Sequence, residues 1–146
     1  MLLAQGSRLG GFSFFVQDGR VQYVHNYVGR AEHHLAAADA LAPGPHVLTF
    51  AFDSDGIFQG GRAQLEIDGT VVARVEIDRF TPMRFSITDA GLTCGADPGS
   101  AVTPRYAPPF AFNGGLRQVV VDVEPGASTD AGAYAEAAVQ RILAEQ

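Results

Sequence analysis

The sequence predicts an all-β protein, a two-sheet antiparallel sandwich of jelly-roll type closed by a C-terminal helix. Three observations predict it. An alternating aromatic run, FSFFVQDGRVQYVHNY, folds back on itself at Asp18-Gly19, a pair that supplies the positive φ angles of a tight hairpin turn. The same device recurs at Asp68-Gly69. Roughly nine or ten short strands separated by turns then precede a single helical segment, the element pattern of two packed sheets.

The elements follow in order. Leu2 to Gln5 reads as a first strand, and Phe12 to Gln17 with Arg20 to Val28 as the opening hairpin. Phe12, Phe14 and Val16 share one face of the first arm; Val21, Tyr23, His25 and Tyr27 share one face of the second. Glu32 to Ala37 is a weaker strand signal, because AEHHLAAADA also suits a helical turn. Ala-Pro-Gly-Pro at 42 to 45 marks a loop, after which His46, Leu48, Phe50 and Phe52 line one face of a strand. SDGIFQGG is a glycine-rich loop. Ala63, Leu65 and Ile67, then Val71, Ala73, Val75 and Ile77, point inward, while Gln64, Glu66, Arg74, Glu76 and Asp78 face water. MRFSI at 83 to 87 is a short strand, and 88 to 109 a long polar loop ending in Pro108-Pro109. Phe110 to Phe112 and Leu116 to Val123 are expected to close the sheet. From Asp130, a suitable N-cap, DAGAYAEAAVQRILAEQ sets Ala135, Val139, Ile142 and Leu143 at helical spacing. The expected division is a sandwich over 1–125 and a helical tail over 126–146.

Size and composition bound the function. A chain of 146 residues buries roughly two thirds of its unfolded surface and needs no metal or disulfide staple. Cys94 is alone, so no internal disulfide forms. The formal net charge is −6, there is no lysine, and the arginines stand one at a time. Nucleic-acid binding needs clustered positive charge, so no nucleic-acid partner is expected. The arginine- and alanine-rich usage reads as a bias of the source genome. MLLA is too short for a signal-peptide core and no run approaches membrane-spanning length, so a soluble chain with no membrane partner is expected. Met1 falls almost on an apolar strand, which suggests a fragment or the start of a split gene.

Each candidate for chemistry has a plainer structural reading. Retaining jelly-roll glucanases align acids at i, i+2 and i+4 of one strand, with two carboxyls about 5 Å apart. Here Glu66 and Asp68 are followed by Gly69 and Thr70, so the constellation is broken and a solvent-facing hairpin is expected. His33 and His34 are adjacent, hence on opposite faces of a strand, and do not chelate one ion. His25 and His46 sit among apolar neighbours and read as core or boundary histidines. Cys94 lies three residues before Asp97, which disfavours a thiolate; a plain free thiol is expected. Asp53, Asp55, Asp89 and Asp97 match no calcium-loop spacing. No metal, cofactor or catalytic residue is therefore assigned. Tyr23, His25 and Tyr27, with Phe15, are the candidate ligand-binding residues, an aromatic platform on which a sugar ring would stack; ordinary inter-sheet core is the alternative. Phe12, Phe14, Phe15, Val16, Tyr23, Val24 and Val28 exceed what one inter-sheet layer hides, and the surplus is expected to form an interaction surface.

The order of landmarks carries a resemblance. Gly10-Gly11-Phe12-Ser13 is followed by Val16 through Asp18-Gly19-Arg20, Tyr23 and Asn26-Tyr27. Then come Pro43-Gly44 with His46 and VLTFAFD, Gly60-Gly61, LEIDGTVVA, Asp97-Pro98-Gly99-Ser100, Pro104-Arg105-Tyr106 and PFAFNGGLRQVVVDV. Over about residues 2 to 124 this resembles the C-terminal β-domain of bacterial arylsulfatases. The resemblance implies a lectin-like sandwich, of laminin-G or concanavalin type, following a catalytic α/β domain. It brings no catalytic residue. The family's reactive centre is a C/S-x-P-x-R motif, whereas Cys94 precedes Gly95, Ala96 and Asp97, and Ser100 precedes Ala101 and Val102. The Asn113-Gly114-Gly115 turn and the segment after Asp130 also depart from the family's usual pattern. The expectation is a non-enzymatic accessory module that packs against a sulfatase catalytic domain or self-associates as a homo-oligomer. A carbohydrate-binding lectin-like module is the alternative.

Overall fold

The computed structural model describes residues 1–56, 59–79 and 91–123. These residues are all-β, with antiparallel sheets and no helix among them. The strands are β1 (Leu3–Ser7), β2 (Gly10–Gln17), β3 (Arg20–Tyr27), β4 (Ala31–Ala36), β5 (Leu48–Ser54), β6 (Gly61–Ile67), β7 (Thr70–Ile77), β8 (Leu92–Cys94), β9 (Ala96–Asp97) and β10 (Phe110–Ala111). They form a sheet of order β4-β3-β2-β1-β8, a sheet of order β5-β6-β7, and the pair β10-β9.

Both Asp-Gly turns form as expected. Asp18 and Gly19 have φ of 52° and 73°, and Asp68 and Gly69 have 52° and 78°. Two consecutive positive φ angles are the hairpin geometry that matches strand twist. The first turn aligns Phe12 with His25, Phe14 with Tyr23 and Val16 with Val21. One face of that sheet meets the β5-β6-β7 sheet. Tyr23, Leu35, Ala63, Leu65 and Ile77 are buried there in one cluster, with Phe12, Phe14 and Phe50 packed against it. This layering is consistent with a β-sandwich.

Three expectations need correction. The aromatic surplus is covered by the chain itself. Because side chains alternate along a strand, Phe15 and Val24 point away from the inter-sheet layer, yet both are 0% exposed. They pack with Met1, Ala4 and Tyr106, with Ala101 and Phe110 alongside. The supposed polar loop supplies that cover and contains β8 and β9. Tyr106 holds the cover down: its hydroxyl donates to Asp97 Oδ2 at 2.6 Å and accepts from the Val102 amide at 3.2 Å. Burial, and then the Asp97 hydrogen bond, push its hydroxyl pKa up.

The inward pattern of β7 is also shifted. A bulge between Leu65 and Glu66 pairs Leu65 with Ala73 but Glu66 with Val71. Val72 joins Ala73 and Val75 against the core, because one extra residue reverses the facing of what precedes it. The strand expected over 116–123 pairs with no described residue. His46 is a half-buried boundary histidine, as expected, but its partners are polar. Its Nδ1 lies 2.7 Å from Asp68 Oδ2 and its Nε2 lies 2.8 Å from the Ala42 carbonyl. Both partners accept, so the arrangement favours the doubly protonated ring, which donates to both. The Asp68 hydrogen bond raises the His46 pKa, and the Val47 amide lowers that of Asp68. The expected MRFSI strand, Asp89 and the 126–146 helix lie outside the described residues.

Candidate functional site

Tyr23, His25 and Tyr27 occupy alternate positions of β3 and share a face, as expected. That face is the interior of the sandwich. Tyr23 is 5% exposed; its ring stacks on Phe50 with centroids 3.6 Å apart and planes 9° from parallel. Phe12 lies against it at 6.1 Å. Burial pushes the Tyr23 hydroxyl pKa up. His25 is 3% exposed and sits opposite His33 on β4, ring centroids 6.2 Å apart. Tyr27, at the rim, is partly exposed, with the Arg79 guanidinium 6.0 Å from its ring centroid. Sugar stacking needs an open ring face, so Tyr23, His25 and the fully buried Phe15 do not form the platform; they are core.

The two histidines have a chemistry of their own. His25 Nε2 is buried and makes no hydrogen bond among the described residues. His33 Nε2 is 3.3 Å from Asp78 Oδ1 but is not aligned as a hydrogen bond. Burial, reinforced by His33, lowers the His25 pKa to about 4 from 6.5. Below pH 6.5 the unfolded chain takes up a proton that the folded chain refuses until about pH 4. This group's stabilising contribution is therefore complete above that window and is lost through it on acidification, amounting to about 3 kcal/mol. His34, also lowered by burial, has the same sign, while the raised His46 has the opposite one. Urea denaturation of His25→Phe across this range is expected to show a much shallower acid slope than the parent. An identical slope would refute the assignment.

The other singled-out groups are dispersed. Glu66 accepts from Gln64 Nε2 at 2.7 Å, and Asp53 pairs with Arg62 at 3.0 Å. Asp68 and Asp97 are occupied by the His46 and Tyr106 contacts. His34 bonds Gln22 Oε1 at 2.9 Å, on the sheet face opposite His33. Cys94 is an exposed free thiol. No three His, Cys, Asp or Glu side chains gather to hold a metal among the described residues. Comparison with family models, curated proteins and solved structures returns no match.

One site escaped the sequence reading. Asn26, 5% exposed, donates through Nδ2 to the Val102 carbonyl at 2.6 Å and the Arg8 carbonyl at 3.2 Å. Its Oδ1 accepts from the Gly29 amide at 2.8 Å. One amide thus ties the β1–β2 turn, the β3–β4 turn and the covering segment together. Beside it opens a cleft of about 250 Å³ lined by Arg8, Arg30, Glu32, Val102 and Pro104. The available signal was an Asn on an aromatic, mostly buried strand; buried amides must find partners.

Proposed function

We propose that this chain is a non-catalytic accessory module of arylsulfatase type, a jelly-roll sandwich that packs against a sulfatase catalytic domain or a second copy of itself. The ordered landmarks from Gly10 to Val123 support the type. The observation that supports packing is the run after β10. Leu116 and Val119 are 37% and 36% exposed, and Val120, Val121 and Val123 are 71%, 61% and 77% exposed. Valine-rich sequence favours a pleated, half-buried setting, and exposed apolar residues gathered in one segment mark a contact surface.

The test is sedimentation velocity over a wide concentration range, alone and with an added sulfatase catalytic domain. Association is expected in one arm or both, and Val121→Asp/Val123→Asp is expected to abolish it. A parent chain that stays monomeric and ignores the catalytic domain would overturn the reading. Carbohydrate binding is the second reading, favoured by the cleft beside Asn26 rather than by the aromatic face.

A further inference from the structure

We propose that the cleft between the β1–β2 and β3–β4 turns binds an anionic group, a carboxylate or a sulfate or phosphate ester, through Arg8 and Arg30. The proposal concerns a site separate from the 116–123 surface and stands or falls apart from it.

Charge is the first argument. The chain carries −6 overall, so two arginines lining one cleft run against its general balance. Neither Arg8 nor Arg30 forms an ion pair with a described residue. The acid that also lines the cleft, Glu32, is engaged elsewhere. Its Oε2 accepts from Thr103 Oγ1 at 3.1 Å and lies 3.8 Å from Arg105 Nε. The carboxylate is thus largely answered by the covering segment, and the two arginines are left to an outside anion.

Preorganisation is the second argument. The arginines sit on neighbouring hairpin turns, which the β2–β3 ladder already places side by side at one end of the sheet. Asn26 adds three hydrogen bonds that tie the two turns to each other and to the covering segment. The turns also touch: Gly29, at φ 74°, lies so close that a Cβ there would stand 3.0 Å from the Arg8 carbonyl oxygen. A site whose frame is already ordered loses less affinity to ordering on binding.

Geometry and size set the ligand class. A guanidinium presents a planar fork that matches carboxylate, sulfate or phosphate oxygens in pairs. At about 250 Å³ the cleft has room for an anionic headgroup or a single acidic sugar ring, and falls short of the volumes that enclose larger ligands.

The test is titration of the full chain with sodium sulfate, sodium glucuronate or glucose at constant ionic strength, followed by NMR shifts of the Gly29 and Ala31 amides. Saturable shifts are expected with at least one of the two anions. Arg8→Ala/Arg30→Ala is expected to weaken binding at least about tenfold with an unchanged melting temperature, since both side chains are exposed. Arg8→Lys/Arg30→Lys is expected to bind more weakly than the parent, because it keeps the charge and loses the fork. Tighter glucuronate binding would assign an acidic sugar; equal or tighter sulfate binding would assign an ester oxyanion. Either anion bound equally well by the alanine or lysine variant, glucose bound as well as glucuronate, or no shift with either anion would overturn the proposal.

Discussion

Phe15→Ala is expected to destabilise the protein by about 3–5 kcal/mol, the range for removing a fully buried aromatic ring. The ring is 0% exposed and carries the contact between the five-stranded sheet and its outer cover. Its centroid lies 5.3 Å from that of Tyr106 and 5.9 Å from that of Phe110, the latter edge-on at 88°. Tyr106 and Phe110 are themselves 4.9 Å apart. Such tilted and edge-on pairs add to the burial itself. The loss should fall unevenly. Segment 96–111 is held by this cluster and by the Tyr106–Asp97 hydrogen bond, whereas the inter-sheet core draws on other residues. Urea denaturation gives the total, and hydrogen exchange is expected to show amides of the cover opening before those of β5, β6 and β7. A loss under about 1 kcal/mol, the size expected of a surface substitution, would mean that Phe15 lies on an open face.

Gly11→Ala is expected to cost about 3 kcal/mol or more, combining backbone strain with overpacking. Gly11 has φ 141°, which side-chain-bearing residues rarely adopt, and a Cβ there would overlap the Gln5 carbonyl oxygen. Its cross-strand partner is Gly6, at φ 104°. The two strands approach so closely that each backbone fills the space the other's side chain would need. Gly44→Ala is the control. Gly44 has a similar φ of 138° but open space around it, so only the conformational part, about 1–2 kcal/mol, is expected. Equal midpoints for the two variants in thermal denaturation would refute the close approach.

Much of the first sheet was legible because local chemistry dictates it. Asp-Gly turns set hairpin register, and register sets which residues share a face. Tyr23, His25 and Tyr27 were therefore grouped correctly, and so were Phe12 and Phe14. What was not legible was what each face meets. The surplus of aromatics was counted correctly, but most of its cover lies far along the chain, as the hydrogen bond between Gln17 and Arg105, 88 positions apart, illustrates. The β7 pattern misled because a bulge leaves no mark in an alternation of Val and Ala. His46 is the boundary histidine expected, but its partner Asp68 was not legible because it is 22 residues away on the β6–β7 turn.

By itself, the sequence determined an antiparallel all-β chain, two Asp-Gly hairpins and the pairing of faces within them, since these depend on φ preferences and a period of two. Only the tertiary structure decided that the aromatic face is interior, that Phe15 and Val24 have a cover, and that Asn26 binds two turns beside a pair of arginines. Those outcomes depend on contacts between segments far apart in the chain, and burial is a property of such contacts rather than of any local pattern.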